Sequence, residues 1–514
     1  MRLADLDYKE LPVVLENASV QSLDKEASSG NIEKGFLFME EAGKALAYKA
    51  IATDKFAVFF VFVGHGNNGG DGIVCAKTLL TLGYPCFVCL VNPEKEFQGE
   101  AKLAYESFLN AGFSFTEKSF FFKKLTDIRT NVLVIDAMLG LGLKPGLREP
   151  YKEAVTFILS KKCKVLSADV PTGFTETSPE NFSLQATETL LFGFPRFQAF
   201  LKNSAEAFGK VSLAPLSYES SLIKKYDNKI YFASDTLIKK LWKEKKENIE
   251  KRDAGTALLF AGSKLMPGAA VLCANAALRS GTGLLSLAVP SEILQVLQTK
   301  LSEPVFYELK EDIEKAKIIF LKACSRNKAL AIGPGLSASL FSEKLLFEIL
   351  PHLEIPTVLD ADALNLVSEN IAILKTIKSK CILTPHQREY ERLFGKLPET
   401  FSERIAHVRK CAVSFDKIIL LKGSPILIAF PDERVFLVNA LNVGLAKGGS
   451  GDVLTGILAA LLATGFFPEE ATVLAALIHQ KAGKITRKKL GPVFMQPSDV
   501  IENLKEVYKE ISNE

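Results

Sequence analysis

No apolar run in this chain is long enough to cross a membrane. A span needs ~20 residues, and the run Phe56–Val63 (FAVFFVFV) has only strand length. The opening residues, MRLADLDYKE, alternate charge and hold no apolar segment, so no signal peptide is expected. An excess of one charge is missing too. Lys and Arg number 63 against 59 Asp and Glu, leaving +4 over 514 residues, with no basic stripe interleaved with aromatics. Nucleic acid is therefore not an expected partner, and the basic clusters Lys243–Lys246 and Arg487–Lys489 read as solvated faces. Paired cysteines are also lacking. Eight are scattered through apolar contexts, and the C-x-x-C of Cys86 and Cys89 sits inside a strand-like run without a second pair or a nearby His. They read as core thiols, which removes zinc and disulfide scaffolds and points to the reducing cytoplasm. There is no internal repeat, and no low-complexity segment.

What is present is a globular composition, 48% hydrophobic and 24% charged. At this length a single core is exceeded, and two domains are the default. The most informative stretch is Gly444–Gly465 (GLAKGGSGDVLTGILAALLATG). Glycines at Gly448, Gly449 and Gly451 suit a turn in which backbone meets ligand closely. The helix former run behind them aims its unpaired N–H groups and positive dipole end at that turn, a cup for phosphate or developing negative charge. Asp452 is a poor anion binder there. It suits a general base on an acceptor hydroxyl or a metal ligand. The plainer alternative is a flexible loop with Asp452 as helix cap. The stretch is not a Walker A loop, because G-x-x-x-x-G-K-[ST] does not occur in it.

The first half alternates strand and helix patterns. Phe56–Val63 ends in Gly64-His65-Gly66-Asn67-Asn68-Gly69-Gly70-Asp71-Gly72, then a helix and a second strand follow. This is a β-loop-α-β unit with its loop where ligands of open α/β sheets bind. Gly64, Gly66 and Gly69 match G-x-G-x-x-G, the fingerprint of a dinucleotide dehydrogenase, yet the nearest candidate for the ribose-binding acid expected ~20 residues on, Glu94, comes late. Asp71 would also face the pyrophosphate. Asn131–Ile135 runs into Asp136 and the Gly140–Gly146 loop, and Lys164–Ala168 runs into Asp169 and Thr172. Two acids and an Asn pair at successive strand ends read as one site, whose oxygens suit a hard cation.

Polar residues at Ser217–Asn228 place the domain junction. Beyond it, strands ending in glycine or acid alternate with helices again, as in a second doubly wound sheet. The strings there are Gly262-Ser263…Gly268-Ala269-Ala270, Gly333-Pro334-Gly335, Asp360-Ala361-Asp362, Thr384-Pro385-His386, Lys422-Gly423 and Gly448–Asp452.

The GGSGD segment resembles the anion hole of ribokinase-like kinases, and more closely that of the ADP-dependent NAD(P)H-hydrate dehydratases. GxGNNGGDG is similar to the signature of the NAD(P)H-hydrate epimerases. The first resemblance covers the second half and the other nearly all of the first half. Together they imply an α/β fold of two doubly wound three-layer domains, one Rossmann-like and one ribokinase-like. They imply an epimerase domain over 1–216, a linker over 217–228 and a dehydratase domain over 229–514. The implied activity is repair of hydrated nicotinamide nucleotides: epimerisation of NAD(P)H hydrate, then ADP-dependent dehydration giving AMP and phosphate. Carried over by position, Asn67, Asn68, Gly69, Gly70, Asp71, Gly140, Leu141, Gly142, Leu143, Lys144, Pro145 and Gly146 bind the hydrate in the epimerase, with Asp169 as acid/base. Asn68, Asp136 and Thr172 ligate K⁺. In the dehydratase, Ala269, Gly335, His386 and Asp452 contact the hydrate, and Asp452 is catalytic. Lys422, Gly423, Ser424, Pro425, Ile426 and Gly451 take the nucleotide, with Mg²⁺. The resemblance also implies a cytoplasmic homo-oligomer acting on small molecules. The family usually has Ser at Thr172, Lys at Arg196 and Thr at Ile426. Arg keeps its proton and cannot act as a base, so a small-molecule kinase with a non-catalytic nucleotide-binding first domain stays open as the alternative.

Overall fold

The computed structural model describes residues 3, 11–140, 146–175, 182–201, 204–244, 248, 250–440 and 442–512. It divides into two compact units, one of Pro12–Asn228 and one of Lys229–Glu514 together with Met1–Leu11.

The first unit holds a parallel sheet of six strands among the described residues: β1 (Val58–Val63), β2 (Cys86–Leu90), β3 (Val132–Ala137), β4 (Lys164–Ala168), β5 (Glu188–Phe192) and β6 (Lys210–Ala214), in the order β2-β1-β3-β4-β5-β6. β1 is apolar at successive positions, not alternate ones, because helices cover both faces of such a sheet. The chain leaves β1 for β2 on one side and returns to β3 on the other, so the strand order reverses between β1 and β3. That is the switch point at which open α/β sheets bind ligands. Val63 pairs with Ala137 across it.

The second unit holds a sheet of ten strands among the described residues: β7 (Ile230–Ala233), β8 (Thr256–Phe260), β9 (Leu284–Pro290), β10 (Val305–Leu309), β11 (Ala329–Ile332), β12 (Thr357–Leu359), β13 (Cys381–Leu383), β14 (Ile418–Leu421), β15 (Ile426–Ala429) and β16 (Val435–Val438). Their order is β10-β9-β8-β11-β12-β13-β14-β15-β16-β7. The β14–β15 and β15–β16 pairings are antiparallel. The reversal here lies between β8 and β11. Helix Ser450–Ala463 is buried from Val453 onward, apolar all round as a core helix is. It packs on helix Pro267–Arg279 so closely that a Cβ on Gly456 would lie 2.2 Å from the Cys273 carbonyl oxygen.

Two boundaries differ from the sequence reading. Residues 217–228 are not a free linker: they hold a short helix, Ser220–Lys225, and cluster with the first unit. Tyr218 stacks on Phe38 and Phe194, so one buried aromatic outweighs the polar composition around it. Leu3 and Leu11 belong to the second unit's core, not to the first domain. Asp136 also falls inside β3 and not after it, because pairing with β1 runs on to Ala137.

Candidate active sites

In the first unit the loop after β1 is shaped by contacts that only glycine permits. A Cβ on Gly64 would lie 1.7 Å from the Met138 carbonyl oxygen, and one on Gly69 2.0 Å from that of Gly64. The loop is thereby pressed against the end of β3. A cavity of about 830 Å³ opens there, and Asn67, Asn68, Asp71, Gly140, Gly146 and Asp169 all line it. Gly69 and Gly70 are absent from its wall; they pack inward against Gly64 and Met39. Leu141, Gly142, Leu143, Lys144 and Pro145 lie outside the described residues.

Asp136 is fully buried. It accepts from the Thr172 hydroxyl at 2.7 Å, the Thr172 N–H at 2.9 Å and the Ser167 hydroxyl at 2.9 Å. Burial pushes its carboxyl above the ordinary range, and the Thr172 bonds work against that. Asn68 is buried with neither amide atom hydrogen-bonded among the described residues, and Gly140 packs at its Cβ. Asp169 holds φ at +64°, a left-handed conformation rare outside glycine. Its Oδ1 accepts from Arg196 Nε at 3.0 Å and Nη2 at 2.6 Å, and both residues are buried. A further acid here, Asp24, carries no sequence signal; it accepts from the Tyr218 hydroxyl at 2.6 Å and lines the same cavity. It lies on a helix far upstream with no motif around it.

In the second unit the switch point is built from the loops after β8 and β11. The Gly262 N–H bonds the Pro334 carbonyl at 2.8 Å. A Cβ on Gly335, whose φ is +61°, would meet the Ala269 side chain at 2.6 Å, so these two predicted contacts are neighbours. Asp360, at the end of β12, is buried and accepts from Lys422 Nζ at 2.7 Å and the Thr455 hydroxyl at 2.7 Å. Burial lowers the hold of Lys422 on its proton, but Asp360 and Glu389 outweigh it and keep the ammonium above its ordinary value. A Cβ on Gly451 would sit 3.3 Å from Lys422 Nζ and 3.8 Å from an Asp360 oxygen, so this ion pair lies directly at the end of helix Ser450–Ala463.

Gly449 supplies the left-handed turn into that helix, at φ +93°. Asp452 follows in the first turn, half-buried. Burial and the charge of Asp360 push its carboxyl up to about 7, against the pull of Lys422. His386 caps helix Gln387–Phe394: its Nδ1 accepts from the Glu389 N–H at 3.1 Å while the Glu389 carboxylate accepts from the His386 N–H at 2.8 Å. Half of its side chain stays exposed, and its Nε2 lies 3.4 Å from a Glu389 carboxylate oxygen. Gly423 and Ser424 form the exposed β14–β15 turn. The Ile426 side chain, in contrast, is buried on β15 within the core, so only its backbone can reach a nucleotide.

Two family models match in tandem. The first, described as YjeF-related protein N-terminus, covers residues 36–197, and the second, described as NAD(P)H-hydrate dehydratase, covers 257–506. The chain is 29% identical to the bifunctional NAD(P)H-hydrate repair enzyme of Moorella thermoacetica, with 97% of each protein aligned. It is 29% identical to that of Thermofilum pendens over 92% of each. The chain belongs to this family. The alignments with these two relatives run across both matched regions. A ribokinase-like superfamily protein from Enterococcus faecalis V583 matches 55% of this chain and 97% of its own, at 22% identity and a TM-score of 0.50, which supports the ribokinase-like fold of the second unit.

Proposed function

We propose that the chain repairs hydrated nicotinamide nucleotides, interconverting the epimers of NAD(P)H hydrate in the first unit and dehydrating the S epimer with ADP in the second. The observation that carries this reading is Asp452, a carboxylate tuned to about 7 in the first turn of a helix whose glycine-lined end faces a buried Lys422–Asp360 pair. Water is a poor leaving group from the hydrated ring, whereas phosphate departs readily. Asp452 takes the proton of the ring hydroxyl as that oxygen attacks the terminal phosphoryl group of ADP, breaking its bond to the AMP oxygen. The N–H groups of Gly448–Gly451 and the helix end receive the charge on the phosphoryl oxygens. Loss of phosphate from the ring carbon together with a proton from the neighbouring ring carbon forms the double bond that restores NAD(P)H, with AMP as the other product. Mg²⁺ carried on the phosphates neutralises their charge when bound. Lys422, with Gly423, Ser424, Pro425 and the Ile426 backbone, holds the nucleotide beside Gly451, while Ala269, Gly335 and His386 face the hydrate.

In the first unit Asp169 is the acid/base group and Arg196 fixes its carboxylate. The buried, unpartnered Asn68 amide beside the Asp136–Thr172 pair fits an all-oxygen cation site, so Asn68, Asp136 and Thr172 would hold K⁺, which supplies a fixed positive charge there. The same reading places the protein in the cytoplasm, which eight unpaired cysteines support, and as a homo-oligomer, which sedimentation would test.

Replacing Asp452 by Asn tests the central claim. With mixed hydrate epimers, Mg²⁺ and ADP, return of the reduced-nicotinamide absorbance should slow ~10²–10⁴-fold, the usual worth of a positioned base, while AMP still binds. Undiminished turnover would remove Asp452 from the chemistry.

A further inference from the structure

His65 occupies a position that neither the sequence motif nor the epimerisation chemistry explains. It is 6% exposed, it lines the first unit's cavity, and neither ring nitrogen has a partner among the described residues. Buried polar atoms are nearly always hydrogen-bonded, so two unmet nitrogens on a residue of the cavity wall mark a place where a ligand can supply the partner. The ring is also held in place from behind. It lies tilted against Phe97 at 4.6 Å, while Phe97 stacks on Tyr105 at 4.9 Å and Tyr105 on Phe115 at 5.4 Å. An aromatic ladder of this kind fixes the imidazole before any ligand arrives, which lowers the entropy lost on binding.

The surroundings select the ligand's charge. Helix Asn67–Thr81 begins two residues later, and its N-cap, Gly66, offers no side chain to the free N–H groups of the first turn. Lys95 and Arg148 line the same cavity, and the Lys95 charge is felt at His65. Burial, and then Lys95, hold His65 below its ordinary value, so the ring is a neutral N–H donor. Asp71 lines the same cavity, and burial, then the carboxylates of Asp169 and Asp24, push it well above its ordinary range, which weakens its opposition to an anion.

We propose that His65, with Lys95 and the start of helix Asn67–Thr81, forms a subsite for a phosphate group of the dinucleotide in the epimerase cavity, making His65 a binding residue that sets affinity for the phosphate-bearing part of the substrate. This rests on the reading of the first unit as the hydrate-epimerising site. The phosphate is either the diphosphate bridge or the 2′-phosphate of the NADPH form, and the two are separable by experiment.

The test uses the full chain carrying His65→Leu, His65→Gln or Lys95→Ala. Approach to epimer equilibrium is followed from the R epimers of NADH hydrate and NADPH hydrate, with dehydration of the S epimer in the same sample reporting that the chain is folded. His65→Leu should raise the epimerisation KM at least tenfold, Lys95→Ala several-fold, and His65→Gln, which keeps a donor, much less. An equal rise with both substrates assigns the diphosphate; a rise confined to NADPH hydrate assigns the 2′-phosphate. An unchanged KM in His65→Leu with both substrates overturns the subsite, as does an equal loss in the Leu and Gln variants. Calorimetric titration of ADP-ribose, which has no nicotinamide ring, separates this from the functional reading. If wild type never epimerises the hydrate but loses one ADP-ribose site on His65→Leu, the function falls and the subsite stands. If epimerisation proceeds and neither KM nor ADP-ribose binding responds to His65, the subsite falls and the function stands.

Discussion

Asp452 shows how surroundings turn an ordinary carboxylate into a base suited to neutral pH. Burial and Asp360 raise it to about 7, and Lys422 keeps it from rising further. Below that pH the group holds its proton and cannot accept another, so the sign is fixed. Dehydration by kcat/KM should climb with pH through about 7 and fall about tenfold per unit on the acid side. A profile flat from pH 5 to 8 would contradict the assignment. His479 should not contribute to that limb: burial pushes it down to about 4, beside Ser450 at 3.3 Å. In the first unit, Arg196 and Asp169 form a buried pair in which the guanidinium keeps its charge throughout. Arg196→Met leaves that carboxylate buried without its partner, and should cost about 3–5 kcal/mol in the first unit's denaturant unfolding. Of these facts the sequence carried the identity of Asp452, Asp169 and Arg196. It carried neither the tuning of Asp452 nor the Asp24–Tyr218 bond, because both depend on neighbours far away in the chain.

Each site depends on an element that approaches another closer than any side chain allows. Helix Ser450–Ala463 is apolar along almost its whole length, so packing fixes it in the core, and only Gly451 and Asp452 at its first turn are half-exposed. Gly456 lets it settle on helix Pro267–Arg279. Gly456→Val therefore must push the two helices apart. The expected result is a loss of about 1–3 kcal/mol in the second unit with a fall in dehydration rate, while epimerisation is retained; unchanged melting would show that the helices have slack. Gly64 plays the corresponding part between β1 and β3. The strands and the glycine loops were legible because continuous apolar runs and dense glycine have few other meanings. The Ser217–Asn228 segment was not, since polar composition describes its surface and Tyr218 alone decides where it packs.

Across the molecule, the two units have separate sheets, separate cores and separate switch points. Their activities should therefore be separable by single substitutions. Asp169→Ala is expected to abolish epimerisation, so that the S epimer is dehydrated while the R epimer persists on a chiral column, lost only at the spontaneous rate of interconversion. Loss of both activities together would mean that the units do not act independently.

The sequence by itself determined the class of fold, the order of the two halves and the glycine and acid motifs at the strand ends. These are local: apolar periodicity, backbone freedom at glycine and helix-end chemistry operate over a few residues. Tertiary structure alone decided which charges meet. It set Lys422 against Asp360, left Asn68 and His65 without partners at one cavity, and turned the Ile426 side chain into the core. Charge and solvation act through space, between groups that the chain holds tens or hundreds of residues apart.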